Sequence, residues 1–165
     1  MYEARTQGRS YDPHAQDFLN KPAPNITLRN AMGADLTLSL LRGKPVFLDF
    51  WASSCAPCVA ALPKLSELHR EARAAGIAWF SIDNDQVPER ATKLLAEKHV
   101  AWTNYHDADG VLGAAFKLQG VPLGVLIDAN GKVVFYEFGF QVSELKKAIA
   151  SLGPQYASIS AKPSP

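Results

Sequence analysis

The chain holds two cysteines, three positions apart in Cys55-Ala56-Pro57-Cys58, directly after the apolar run Pro45-Val46-Phe47-Leu48-Asp49-Phe50-Trp51-Ala52. A strand-like run feeding a helix-like one restricts the choice of folds, because it sets the pair at a helix N-terminus. There, cysteines three apart can close a disulfide across one turn. Unpaired N–H groups and the positive end of the helix dipole also favour thiolate over thiol. The expectation is a reversible disulfide valued for reactivity more than for stability.

The pattern on either side of this anchor predicts an α/β domain. After a strand over residues 45–50, a helix is expected over 56–75, with Val59, Leu62, Leu65 and Leu68 at three-residue spacing, a kink at Pro63 and a stop at Gly76. Residues 77–82 form a near-continuous apolar run, which suits a central strand parallel to the first. A helix over 88–99, a short strand over 102–105 and a helix over 111–118 follow. Strands across 121–127 and 133–138 flank Asp128-Ala129-Asn130-Gly131, whose Asn-Gly step signals a hairpin. Ser143 is placed to cap a last helix ending near residue 152. Ahead of the core, residues 26–29 and 35–38 read as a hairpin around Ala31-Met32-Gly33-Ala34, with Ser39 capping a brief helical turn before Gly43.

The sum is a central mixed sheet flanked by helices on both faces, with an N-terminal β-hairpin extension and an inserted helix-strand. Residues 1–24, polar and carrying Pro13, Pro22 and Pro24, read as a poorly ordered lead-in, residues 25–156 as the domain and residues 157–165 as a flexible tail.

Charge excludes some partners. Seventeen Lys and Arg against sixteen acids leave +1, and the basic residues are scattered, so neither nucleic acid nor a polybasic membrane contact is expected. No apolar stretch approaches the roughly 20 residues that span a bilayer, and residues 1–20 lack the apolar middle of a signal peptide.

The segment Asp49-Phe50-Trp51-Ala52-Ser53-Ser54-Cys55-Ala56-Pro57-Cys58 resembles the strand-to-active-site segment of the thioredoxin superfamily. Val121-Pro122 lies where that superfamily carries a cis-proline beside its disulfide. The resemblance covers most of residues 25–152. The lead-in hairpin, Gly43-Lys44-Pro45 and the extra helix and strand over 88–105 are similar to its TlpA-like and ResA-like thiol-disulfide oxidoreductases.

The resemblance implies a thioredoxin-like fold and protein thiols or disulfides as substrates, apocytochrome c among them. It also implies an upstream thiol electron donor and no cofactor beyond a Cys55–Cys58 disulfide. The implied setting is periplasmic or otherwise extracytoplasmic, with the export signal or anchor outside this sequence; the alternative is a cytoplasmic protein. The chain departs from the pattern at four places. Ser54 stands where Trp is usual, Leu123 where Thr often follows the cis-proline, Asp49 where the TlpA-like branch often has Asn, and Trp79 or Phe80 where thioredoxins pair a lysine with their buried acid.

In such a site Cys55 is the nucleophile and Cys58 resolves the mixed disulfide. The competing assignments are an inert structural pair and a zinc half-site. Zinc needs about four ligands, whereas the chain has no further cysteine and His14, His69, His99 and His106 lack ligand spacing. Haem attachment needs a His where Val59 stands. No metal is expected.

Asp49, an acid in an apolar strand, is assigned as acceptor of the Cys58 proton, against a side chain that reaches water or a backbone N–H at the strand end. Trp51, Ser54, Ala56, Pro57, Val121 and Pro122 form the expected substrate-binding surface. Pro57 pre-sets helical backbone and removes one N–H, and Pro122 leaves nearby main-chain groups free for an extended segment. Trp51 either covers the disulfide or fills the core. Asp83 and Asp85 read as solvated turn residues.

The lack of His in Ala56-Pro57 leans towards a reductant. Two other functions stay open: a peroxiredoxin-like peroxidase, against which Ala52 occupies that family's Thr position, and a non-catalytic binding or chaperone module built on Pro122, Leu123 and Trp51.

Overall fold

The structure, a computed structural model, describes residues 12–29 and 35–161. It begins with a short helix, α1 (Ala15–Phe18), and a two-stranded antiparallel hairpin, β1 (Thr27–Leu28) with β2 (Leu36–Thr37). Both expected hairpin strands are present, shortened, while the expected turn at residues 31–34 lies outside the described residues. A 3-10 turn over Leu38–Leu41 follows. Its N-cap is Thr37, and Ser39 donates its backbone N–H to Asn25 Oδ1 at 3.1 Å instead of acting as the cap.

The core then alternates: β3 (Val46–Trp51), α2 (Ala56–Ala74), β4 (Ala78–Asp83), α3 (Pro88–Glu97), β5 (Thr103–His106), α4 (Val111–Ala115), β6 (Leu123–Ile127), β7 (Val133–Phe138) and α5 (Val142–Ala150). A 3-10 turn over Pro154–Tyr156 leads into α6 (Ala157–Ala161). The sheet order is β5-β4-β3-β6-β7, with β3, β4 and β5 mutually parallel and β6 and β7 antiparallel to their neighbours. This is the mixed sheet that the alternating pattern predicts. The helix α2 runs through Pro63 as one element and ends before Gly76, whose φ of 87° suits the left-handed turn after a helix.

Side-chain alternation along β3 builds a core on each face. Leu48 and Phe50 pack with Phe18, Leu28, Phe116 and Tyr136 on one face; Phe47 packs with Leu65, Leu68, Trp79 and Leu145 on the other. Every residue of β3 is buried, so truncating one of its large side chains, such as Phe47 to Ala, is worth about 3–5 kcal/mol.

Both chain ends depart from expectation. In place of a loose lead-in, residues 12–24 dock: Phe18 stacks on Tyr136 with centroids 4.9 Å apart, and Asn20 and Ala23 donate backbone N–H groups to Val133 and Gly131 at 2.8 Å. Apolar Phe18 and backbone pairing with β7 supply what composition alone does not reveal. At the other end α6 replaces the first part of the expected flexible tail, because Ile159 is buried against the α2–α5 face. Ser143 does not cap α5. Gln141 holds that position, and Ser143 lies in the first turn.

Candidate active site

The strand β3 ends at Trp51, and four residues later α2 starts with Cys55 as its N-cap. Cys55 and Cys58 are joined by a disulfide with Cα atoms 5.3 Å apart. Cys58 donates its backbone N–H to Cys55 Sγ at 3.3 Å, so the helix start already points a donor at the first sulfur. The two sulfurs differ in access. Cys55 is half-buried, Cys58 only 4% exposed, and Ser54, Ala56 and Pro57 around them are exposed. The sequence expectation of a bonded pair at a helix N-terminus thus has a direct structural counterpart.

The Val121–Pro122 bond is cis, and both residues are half-buried beside the disulfide. The Pro122 carbonyl accepts from Gly139 N–H at 2.7 Å. Val121 takes part in no backbone hydrogen bond among the described residues.

Asp49 is the fourth residue of β3. Its neighbours in register are Ser81 on β4 and Gly124 on β6, and it is 3% exposed. Burial raises its pKa to about 7, since desolvation penalises the carboxylate more than the neutral acid. It does not reach the strand end. Instead it lines a groove of about 340 Å3 together with Cys58, Pro57, Lys64, Pro122 and Phe140. Of the two residues expected to replace a partner lysine, Trp79 shares the face of Asp49, whereas Phe80 points to the opposite one.

Trp51 is a core residue. It is 1% exposed, packs against Cys58 and Ala91 with Cys55, Leu94, Leu95 and Val121 at the edge, and donates its Nε1–H to Asn104 Oδ1 at 2.9 Å. The inserted helix α3 therefore backs the disulfide, and Trp51 supports it from below and leaves no face for substrate.

Asn104 is the centre of a polar chain that sequence reading missed. Its Oδ1 accepts from Ser81 Oγ at 2.8 Å as well as from Trp51, and its Nδ2 donates to Asp83 Oδ2 at 2.7 Å. Asp83 Oδ1 accepts the backbone N–H of Asp85, and Asp85 Oδ1 accepts that of Ser53 at 2.9 Å, in the loop before Cys55. His106 Nδ1 lies against Asp83 Oδ2, an ion pair when the imidazole is protonated. Burial holds the Asp83 carboxyl above the usual carboxylate range, opposed by the Asn104 bond and by His106.

Asp83 and Asp85 are 1% and 9% exposed, so neither is the solvated turn residue expected. Their place at the carboxyl end of a central parallel strand, where α/β folds gather functional groups, is the signal that had been available. Lys64, Phe140 and Gln141 of the groove had no such signal, because α2 and the distant β7–α5 connection bring them together.

No group of three His, Cys, Asp or Glu among the described residues is placed to hold a metal, and no helix among them is long and apolar enough to cross a membrane.

Comparison with known proteins places this geometry in a family. The Redoxin family model matches residues 19–151. A thiol-disulfide oxidoreductase ResA of Bacillus cereus is 28% identical over 126 residues, which are 76% of this chain and 73% of that protein. A crystal structure of a candidate thiol:disulfide interchange protein DsbE from Chlorobium tepidum superposes with a TM-score of 0.74 at 32% identity, over 82% of this chain and 98% of the other. A secreted Mycobacterium tuberculosis disulfide oxidoreductase, homologous to E. coli DsbE, gives 0.67 at 26% identity, over 77% and 96%. The cysteine pair at the start of α2, the sheet that carries it and these matches together make the chain a member of the Redoxin family and a thiol-disulfide oxidoreductase of thioredoxin-like fold.

Proposed function

We propose that the protein reduces disulfides in protein substrates outside the cytoplasm, with Cys55 as attacking sulfur. The observation that carries this is the unequal access of the two sulfurs at one helix N-terminus: Cys55 half-buried, Cys58 4% exposed. In the reduced protein the Cys55 thiolate attacks a substrate disulfide, forming a mixed disulfide and releasing one substrate thiol. Cys58, after losing its proton, attacks Cys55 Sγ. That regenerates the Cys55–Cys58 disulfide and frees the second substrate thiol, so two electrons pass to the substrate and an upstream thiol donor must return them.

Asp49, buried beneath Cys58 with a pKa of about 7, is matched to taking that proton near neutral pH. Val121, whose backbone groups are unengaged among the described residues, and Pro122 offer an edge on which an extended substrate segment aligns. Ser54, Ala56 and Pro57 complete the exposed rim; apocytochrome thiols are one substrate class for it.

The test is reduction of insulin by the full chain with a dithiol donor. Turnover that disappears in Cys55→Ser supports the assignment. Undiminished turnover in Cys55→Ser, or partner affinity without any turnover in the wild type, refutes it.

A further inference from the structure

We infer that the groove beside Cys58 favours substrate segments with a carboxylate about three residues from the exchanging cysteine, and that Lys64 reads it. This rests on the exchange reaction proposed above and names the substrates that the same site prefers.

The groove has two walls. One is a face of α2 carrying Pro57, Ala60, Ala61 and Lys64, positions that recur at three and four residues and so lie along one stripe. The two alanines keep that stripe low, and Lys64 is the first long side chain beyond them. The other wall is Pro122, Phe140 and Gln141, which carry no charge.

Among the residues lining the groove only Asp49 carries a carboxyl and only Lys64 a cationic side chain, and Asp49 is buried while Lys64 is exposed. Lys64 makes no ion pair among the described residues. Glu144, three residues beyond Gln141 in α5, lies 3.4 Å from Lys147. The exposed rim at Ser54, Ala56 and Pro57 is uncharged as well. An extended chain lying along the groove therefore meets one fixed positive charge.

Its distance sets the register. The Cys55 sulfur that carries the substrate lies 3.3 Å from Cys58 N and so at the level of Cys58 on the helix; Lys64 follows by six residues, roughly 9 Å along the helix axis, and an extended segment advances roughly 3.3 Å per residue, so the charge stands opposite about the third residue from the substrate cysteine. An exposed pair of this kind is worth a preference of about two- to fivefold in kcat/KM and fades with salt.

The experiment uses the reduced full chain and disulfide-linked peptides that differ only in Glu, Gln or Lys three residues from the cysteine, on its N- or C-terminal side. With the wild type, kcat/KM should fall from Glu through Gln to Lys by about two- to fivefold overall, and the order should flatten near 1 M salt. Lys64→Glu should reverse the order. Lys93→Glu, a charge change on α3, should keep it. An order that survives Lys64→Glu, or equal rates for the three peptides in the wild type, overturns the inference while leaving disulfide exchange standing. Failure to exchange with every peptide overturns the exchange reaction itself and this selectivity with it.

Discussion

Asp85 Oδ1 accepts the backbone N–H of Ser53 at 2.9 Å across 32 positions of sequence, which ties the loop carrying Cys55 to the segment that follows β4. Asp85 Oδ2 is buried without a hydrogen-bond partner among the described residues, so the carboxylate is committed to that single loop contact, while the Asp85 backbone N–H is held by Asp83. Asp85→Ala should lower stability by about 1–2 kcal/mol, as a half-buried N–H is left without its acceptor, and Asp85→Asn, which keeps an acceptor oxygen, should cost less. Urea denaturation of the oxidised variants checks the ranking.

Asp49 gives stability a pH dependence of definite sign. Its folded pKa of about 7 lies above the ordinary value of 3.8, so between those pH values the folded chain keeps a proton that the unfolded chain has lost. Stability is fullest below the lower value, falls as pH rises through the window and carries the full penalty above the upper one. That penalty is about 4 kcal/mol as an upper limit. Asp49→Asn should therefore stabilise the oxidised protein by about 2–4 kcal/mol at pH 8.5 and by little at pH 4. Denaturation at the two pH values checks it.

The same substitution should act oppositely on chemistry. With Asp49 as proton acceptor, resolution of the mixed disulfide by Cys58 should accelerate as pH rises through about 7. Asp49→Asn should slow that step by about 10- to 100-fold and remove the inflection. Single-turnover kinetics across pH 5–9 measure both.

Gly124 faces Asp49 in the β3–β6 register, and a Cβ there would lie 2.9 Å from Phe140 Cδ1 and 3.2 Å from Phe135 Cε1. Gly124→Ala should cost about 1–3 kcal/mol through overpacking. Because Phe140 lines the groove beside Cys58, its displacement should also raise KM for peptide disulfides more than it lowers kcat. Denaturation and steady-state kinetics with one peptide read the two effects.

What the sequence made legible follows from the range of each interaction. The 46–51 strand, the helix after it, the central parallel strand and the Asn-Gly hairpin all show as local periodicity or turn chemistry. Cys55, Cys58 and Pro122 were legible because the fold they imply brings them together. Asn104 was not: its bonds to Trp51, Ser81 and Asp83 join three strands, and a polar residue in a short strand carries no sign of such partners. Trp51 was ambiguous for the same reason, since only the packing of α3 decides that it faces inward. The docking of residues 12–24 depends on the far end of the sheet, beyond any window of local pattern.

The most direct measurement is trapping. Reduced Cys58→Ser and Cys55→Ser variants are each mixed with a disulfide-linked peptide, and the products are resolved by mass under non-reducing conditions. Cys58→Ser should accumulate a peptide adduct on Cys55, while Cys55→Ser, left with the 4%-exposed Cys58, should give little or none. Adducts formed chiefly through Cys58, or by neither variant, would contradict Cys55 as the attacking sulfur.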